Sequence, residues 1–188
     1  VYKEQGRFDM ARNTYRTLLQ MFPHNRNTPH IESELLSVLS KDLKDINLEE
    51  TCKLKREFFE KYNRNSTWAQ AQTDTSVLAT GDSLAAHHLY DASVTYHQLA
   101  LGNNDRELYM KAAKNYKQYI QAYPRSPVTN ECHYNFAEIH FSMGNYQQAA
   151  NEYIAVSKRY PDSKYKETAA WNAIVASQNL LKQEEKVR

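Results

Sequence analysis

The stretch Gly144-Asn145-Tyr146-Gln147-Gln148-Ala149, followed by Tyr153, Val156, Tyr160 and Pro161, decides the fold of this chain. It occurs in related form twice more. Gly6, Phe8, Ala11, Tyr15, Leu18, Phe22 and Pro23 repeat it 138 residues earlier. Tyr109, Ala112, Ala113, Tyr116, Tyr119, Tyr123 and Pro124 repeat it 37 residues earlier, without the glycine. A period of this length marks a stacked repeat protein. Such proteins work by presenting an extended surface to a partner.

Within the clearest copy, Tyr146, Ala149, Ala150, Tyr153, Val156 and Tyr160 recur at steps of three and four. That spacing places them on one face of an α-helix. Ala149 is small enough to let a neighbouring helix approach, and Tyr153 fills the space one turn on. Gly144 suits a tight turn before the helix, where a positive φ costs little. Pro161 stands just past the helix end, which it cannot extend. One helix cannot bury this stripe alone. Its partner is expected over Glu131–Met143, with Phe136, Ala137, Ile139, His140 and Met143 facing inward. The frame resumes after Pro161, because Ser163 matches Ser126 and Trp171-Asn172 matches Tyr134-Asn135 at the same offset.

These residues resemble the tetratricopeptide repeat family, whose pattern sets glycine before the second helix, alanine one turn in, an aromatic one turn later and proline at the end. Gly144, Ala149, Tyr153 and Pro161 match it, as do Gly6, Ala11, Tyr15 and Pro23; Ala112, Tyr116 and Pro124 match without the glycine. The joints Tyr123-Pro124-Arg125-Ser126 and Tyr160-Pro161-Asp162-Ser163 resemble the Tyr-Pro-x-Ser joints of bacterial envelope members. Those members include the outer-membrane β-barrel assembly lipoprotein and the Tol-Pal system coordinator. The resemblance implies an all-α, right-handed superhelical solenoid of antiparallel helix pairs. It implies a protein–protein interaction scaffold in a bacterial cell-envelope complex, in the periplasm or at the outer membrane. The alternative is a helical-repeat accessory region of a larger enzyme or glycan-handling protein.

The expected organisation is a single helical-repeat domain. It comprises a partial repeat over 1–27, a degenerate hairpin over 28–65, an irregular repeat over 66–124, a complete repeat over 125–161 and a partial repeat over 162–188. Ile31, Leu35, Leu36, Val38 and Leu39 line the first helix of the degenerate hairpin. Leu48, Cys52, Leu54, Phe58, Phe59 and Tyr62 line its second, after a polar join at Asp45-Ile46-Asn47. Tyr62-Asn63-Arg64-Asn65-Ser66 reads as a joint that lost its proline and gained a residue. Residues 66–80 are ambiguous. Thr80-Gly81-Asp82-Ser83 reads as a helix stop followed by a cap, and Leu84–Leu99 as the next helix. Seven residues then read as an inserted polar loop, Leu101–Glu107. Both ends read as cut, so the chain is expected to be a fragment of a longer protein.

Composition narrows the function classes. The net charge of +2 argues against a dedicated nucleic-acid binder. No run of 18 apolar residues is present, so no membrane span is expected. The histidines lack ligand spacing: His87-His88 point about 100° apart on a helix, and His133 and His140 are seven apart. No phosphate loop or nucleophile elbow is present. No catalytic residue, metal or cofactor is therefore expected. Cys52 and Cys132 fit small buried roles.

In family members, first-helix residues line the inner groove. Aligning the hairpins with the seven-residue insertion makes Tyr90, Tyr134 and Trp171 equivalent, and His97 equivalent to Phe141. Glu138 and Asn179 fall nearby. Together these residues form the expected groove for a protein or extended peptide partner. Packing between hairpins is the competing use of the same rings. A clamp for a C-terminal carboxylate is not expected, because Tyr134, Glu138, Trp171 and Val175 stand where cations would be needed.

Overall fold

Gly144 turns the chain with φ +75°. The N–H of Asn145 reaches back to the His140 carbonyl at 2.9 Å, closing one helix before the next begins. In the computed structural model, which describes residues 5–22, 25–40 and 47–186, this turn joins two of a series of helices. They are α1 (Phe8–Met21), α2 (Thr28–Leu39), α3 (Leu48–Tyr62), α4 (Thr67–Gln70), α5 (Thr75–Asn103), α6 (Arg106–Ala122), α7 (Thr129–Ser142), α8 (Tyr146–Arg159) and α9 (Lys166–Glu185). No strand occurs among the described residues. The fold is all-α. Pro23 and the Asp45-Ile46 part of the expected join lie outside the described residues.

The chain forms two compact units, Val1–Thr95 and Tyr96–Arg188, so the division falls inside α5. In the first unit α2 packs on α1 and on α3. Phe58, Tyr62, Val38, Ala85, Leu89 and Ala92 fill its centre. Side-chain caps start its helices: Asn47 Oδ1 accepts the Glu50 N–H at 3.0 Å, and Ser66 Oγ accepts the Ala69 N–H at 3.1 Å. Polar groups in this unit find partners across helices. Lys55 is almost fully buried and ion-pairs with Asp91, and the Tyr62 hydroxyl donates to Glu32 at 2.6 Å.

Two local expectations fail in this unit, each for a packing reason. The expected stop at Thr80-Gly81-Asp82-Ser83 is instead continuous helix inside α5. Gly81 is buried, and a Cβ there would lie 2.6 Å from Trp68 Cζ3. The glycine admits the indole of Trp68, whose other neighbour is the Tyr62 ring at 5.2 Å, edge-on. Asp82 does not cap; it accepts from the backbone N–H of Arg64 (2.9 Å) and from its guanidinium. The joint before α4 also differs. The Asn63 carbonyl accepts the Ser66 N–H (2.9 Å), just as Tyr123 accepts from Ser126 and Tyr160 from Ser163. Asn63 rather than Tyr62 holds the joint position, so no residue has been gained.

Replacing Gly81 with alanine is expected to destabilise the chain by up to about 2 kcal/mol. Overpacking costs about 1–3 kcal/mol, against a gain of about 1 kcal/mol in helix propensity. A thermal melt reads the difference. A melting temperature at or above the parent's would mean that the Trp68 ring moves aside freely.

In the second unit, successive helices α6, α7, α8 and α9 each pack on the next. Ala112, Ala149, Ala137, Tyr116, Tyr153, Val156 and Cys132 are fully or almost fully buried. Both cysteines are free and lie in different units. Burial pushes the Cys52 thiol up to about 11 and the Cys132 thiol upward as well, which makes both poor nucleophiles.

The expected inserted loop at Leu101–Glu107 is not an insertion. Its residues are largely exposed, but α5 stays helical through Asn103 and α6 resumes at Arg106. Asn104, at φ +51°, takes the role of Gly144. The N–H of Asp105 reaches the Ala100 carbonyl at 3.1 Å, in the same pattern as Asn145 to His140. Asp105 then caps α6, accepting from Glu107 (2.8 Å) and Leu108 (3.2 Å). The turn has moved about one helical turn toward the N-terminus, and the repeat length is unchanged.

Candidate functional site

The unchanged repeat length alters which residues are equivalent. The His97 ring meets Tyr116 edge-on at 5.9 Å, and the Tyr134 ring meets Tyr153 at 5.8 Å. Both pairs are related by the 37-residue period. His97 is therefore the counterpart of Tyr134, and the expected equivalences of Tyr90 with Tyr134 and of His97 with Phe141 are corrected. Tyr90 belongs to the first unit, half-buried on α5. The other six expected groove residues belong to the second unit.

In that unit, rings and amides alternate along the first helices of the hairpins. Tyr134 of α7 stacks on Tyr165, with centroids 4.5 Å apart and an interplanar angle of 16°. The Asn172 amide of α9 donates to the Tyr134 hydroxyl and to Glu138 Oε1, each at 3.1 Å. Tyr153 of α8 donates its hydroxyl to the same Glu138 oxygen. Burial raises the phenol pKa values of Tyr134 and Tyr153, and the Glu138 carboxylate raises both further. Both phenols stay protonated and act as donors. One hairpin earlier, the Asn135 amide donates to the Tyr116 hydroxyl at 3.3 Å. Asn135 and Asn172 are one period apart, and so are Tyr116 and Tyr153. The amide–phenol contact is repeated because Asn172 also bonds to the Tyr153 phenol, and the carboxylate of Glu138 is added in the later copy.

Tyr134 and Glu138 are brought together and held by neighbouring hairpins. His97 lies close by, its ring also edge-on to Tyr109 at 6.1 Å. Burial lowers its pKa, and Glu138 opposes that shift. Phe141 is half-buried and edge-on to Tyr146 at 5.4 Å. The Asn179 amide bonds back to the Val175 carbonyl of its own helix at 3.0 Å. Trp171 differs from all of these. It is 65% exposed on α9, one period after Tyr134, and meets no ring or hydrogen-bond partner among the described residues.

A second polar cluster lies between α7 and α8. His133 is buried; its Nε2 pairs with Glu152 at 2.7 Å and its Nδ1 lies 3.3 Å from the Tyr160 hydroxyl. The hydrogen bond from His133 is the main reason that the Glu152 carboxyl titrates below its usual range. Sequence reading missed Asn172, Tyr165 and the His133–Glu152 pair. The 37-residue offset of Asn135 and Asn172 pointed to the first, and no local signal marked the others. Among the described residues no group of His, Cys, Asp and Glu is arranged to hold a metal ion, and no helix is long and apolar enough to cross a membrane.

Antiparallel helix pairs stacked at a 37-residue period define an all-α helical-repeat protein, a class that acts by presenting surface. A family model for the tetratricopeptide repeat matches residues 131–163, which span α7 and α8 with the Gly144 turn between them. A repeat of that family supports binding of a protein partner in general. Among curated proteins, none matches the chain.

Proposed function

We propose that the chain is a protein–protein interaction scaffold of a bacterial cell-envelope complex, built throughout from repeats of this kind and without catalytic activity. The envelope assignment rests on the two Tyr-Pro-x-Ser joints at Tyr123–Ser126 and Tyr160–Ser163. The partner is a protein or an extended peptide. In the second unit its surface is the first-helix side carrying His97, Tyr134, Glu138, Phe141, Trp171 and Asn179; Tyr90, in the first unit, is not counted in it.

The tetratricopeptide repeat matched over residues 131–163 carries this reading. Trp171 presents its ring to solvent, and Ile174 beside it is half exposed. A large rigid ring gives much contact area at low entropy cost and often dominates binding. Glu138 and Tyr134 hold the helices that position it.

The test is capture from a bacterial envelope extract with the 188-residue chain as bait, followed by affinity measurement on the purified partner. Trp171→Ala is expected to weaken binding by at least about 2 kcal/mol and to leave the melting temperature unchanged. Unchanged affinity would remove this face from the partner surface.

A further inference from the structure

In the second unit, α6 and the start of α8 flank a groove of about 570 Å³ whose floor is α7. Phe136 and Ala113 form its apolar base. Lys114 and Lys117 stand on the α6 wall, both exposed, and neither forms an ion pair among the described residues. Asn145 stands on the α8 wall, its side chain exposed and without a hydrogen bond among the described residues. At the floor, His140 packs edge-on against Phe136 at 4.6 Å. Both His140 ring nitrogens are closed off from solvent, and neither has a hydrogen-bond partner.

We propose that this groove docks a short acidic segment of a partner protein, with a carboxylate between Lys114 and Lys117 and an adjacent apolar side chain on Phe136 and Ala113.

Charge complementarity selects the acid. Two cations lacking anions of their own flank an apolar base, and the nearby Glu152 carboxylate is engaged by His133 and Gln148. The apolar base selects a peptide over a bare anion, because an inorganic anion has no apolar side chain to place on Phe136 and Ala113. The Asn145 amide adds one donor pair and one acceptor for the backbone. This surface is independent of the Trp171 face, so a failure of either leaves the other standing.

The probe is an N-acetylated, C-amidated hexapeptide with one aspartate beside one phenylalanine, titrated into the ¹⁵N-labelled chain. Saturable amide shifts confined to 113–117, 136–140 and 145–148 are expected. Exchanging the aspartate for asparagine should weaken binding about tenfold, as should the double variant Lys114→Ala/Lys117→Ala. His140→Phe keeps the apolar floor and should leave binding unchanged, because both ring nitrogens are closed off. Equal binding by the asparagine peptide, shifts elsewhere on the chain, or displacement of the peptide by equimolar inorganic phosphate would each overturn the assignment. The last would show a simple anion site.

Discussion

Replacing Tyr153 with alanine is expected to lower the unfolding free energy by about 3–5 kcal/mol. The side chain is 1% exposed, so its whole ring volume becomes a cavity. The ring lies against Tyr134, and its hydroxyl donates to Glu138. Removal therefore costs burial and also leaves Glu138, in a half-buried site, with one donor fewer. Tyr153→Phe separates the two effects. It keeps the ring and should cost about 1–3 kcal/mol, the penalty for an under-satisfied polar group. Urea titration of parent and both variants reads the difference. Equal losses in the two variants would place the whole effect in the hydroxyl and refute the packing argument.

Acidification is expected to remove about 3 kcal/mol through His88 alone. Its ring is 4% exposed, lies 4.5 Å from Phe58, and pairs through Nε2 with the Ser33 hydroxyl at 2.8 Å. Burial pushes its pKa down to about 4; His87 and Lys55 push in the same direction, and Asp91 opposes them. The unfolded chain holds the same group at about 6.5. The folded value is thus depressed, and the unfolded state binds the proton more readily. Stability is complete above about pH 6.5, falls as pH drops, and the loss is complete below about pH 4. A gap of this size corresponds to about 3 kcal/mol. Denaturant titrations at pH 7 and pH 4.5 should show a larger drop for the parent than for His88→Gln, because carboxylates and other histidines titrate in both. Equal drops would show that His88 is not the group responsible.

The second unit was the more legible in sequence because its signals are local. Gly144 predicted a positive φ, and it has one. The steps of three and four predicted which face of α8 is buried, and Ala149, Ala150, Tyr153 and Val156 are its buried residues. Periodicity of this kind depends only on helix geometry, which every residue reports. The break expected at Gly81 failed because local propensity was weighed without its neighbour. Helix cost for glycine is about 1 kcal/mol, and a tertiary contact with Trp68 overrides it. The Asn104 turn was missed for a related reason. Asparagine reaches the left-handed region less readily than glycine, and nothing in its immediate neighbours marks it as the counterpart of Gly144.

The sequence by itself determined that the chain is helical, that hairpins recur at a 37-residue offset in the second unit, and that small and aromatic residues face inward. Tertiary structure alone decided the fate of each aromatic on the first helices. His97 and Tyr134 occupy the same place in the repeat, yet one ring is edge-on to Tyr109 and Tyr116 and the other is stacked under Tyr165. The physical reason is that a repeat position specifies direction from the helix axis, whereas burial depends on what the next hairpin places there. The same holds for Glu138, whose carboxylate is held because Tyr153 and Asn172 arrive from two other helices.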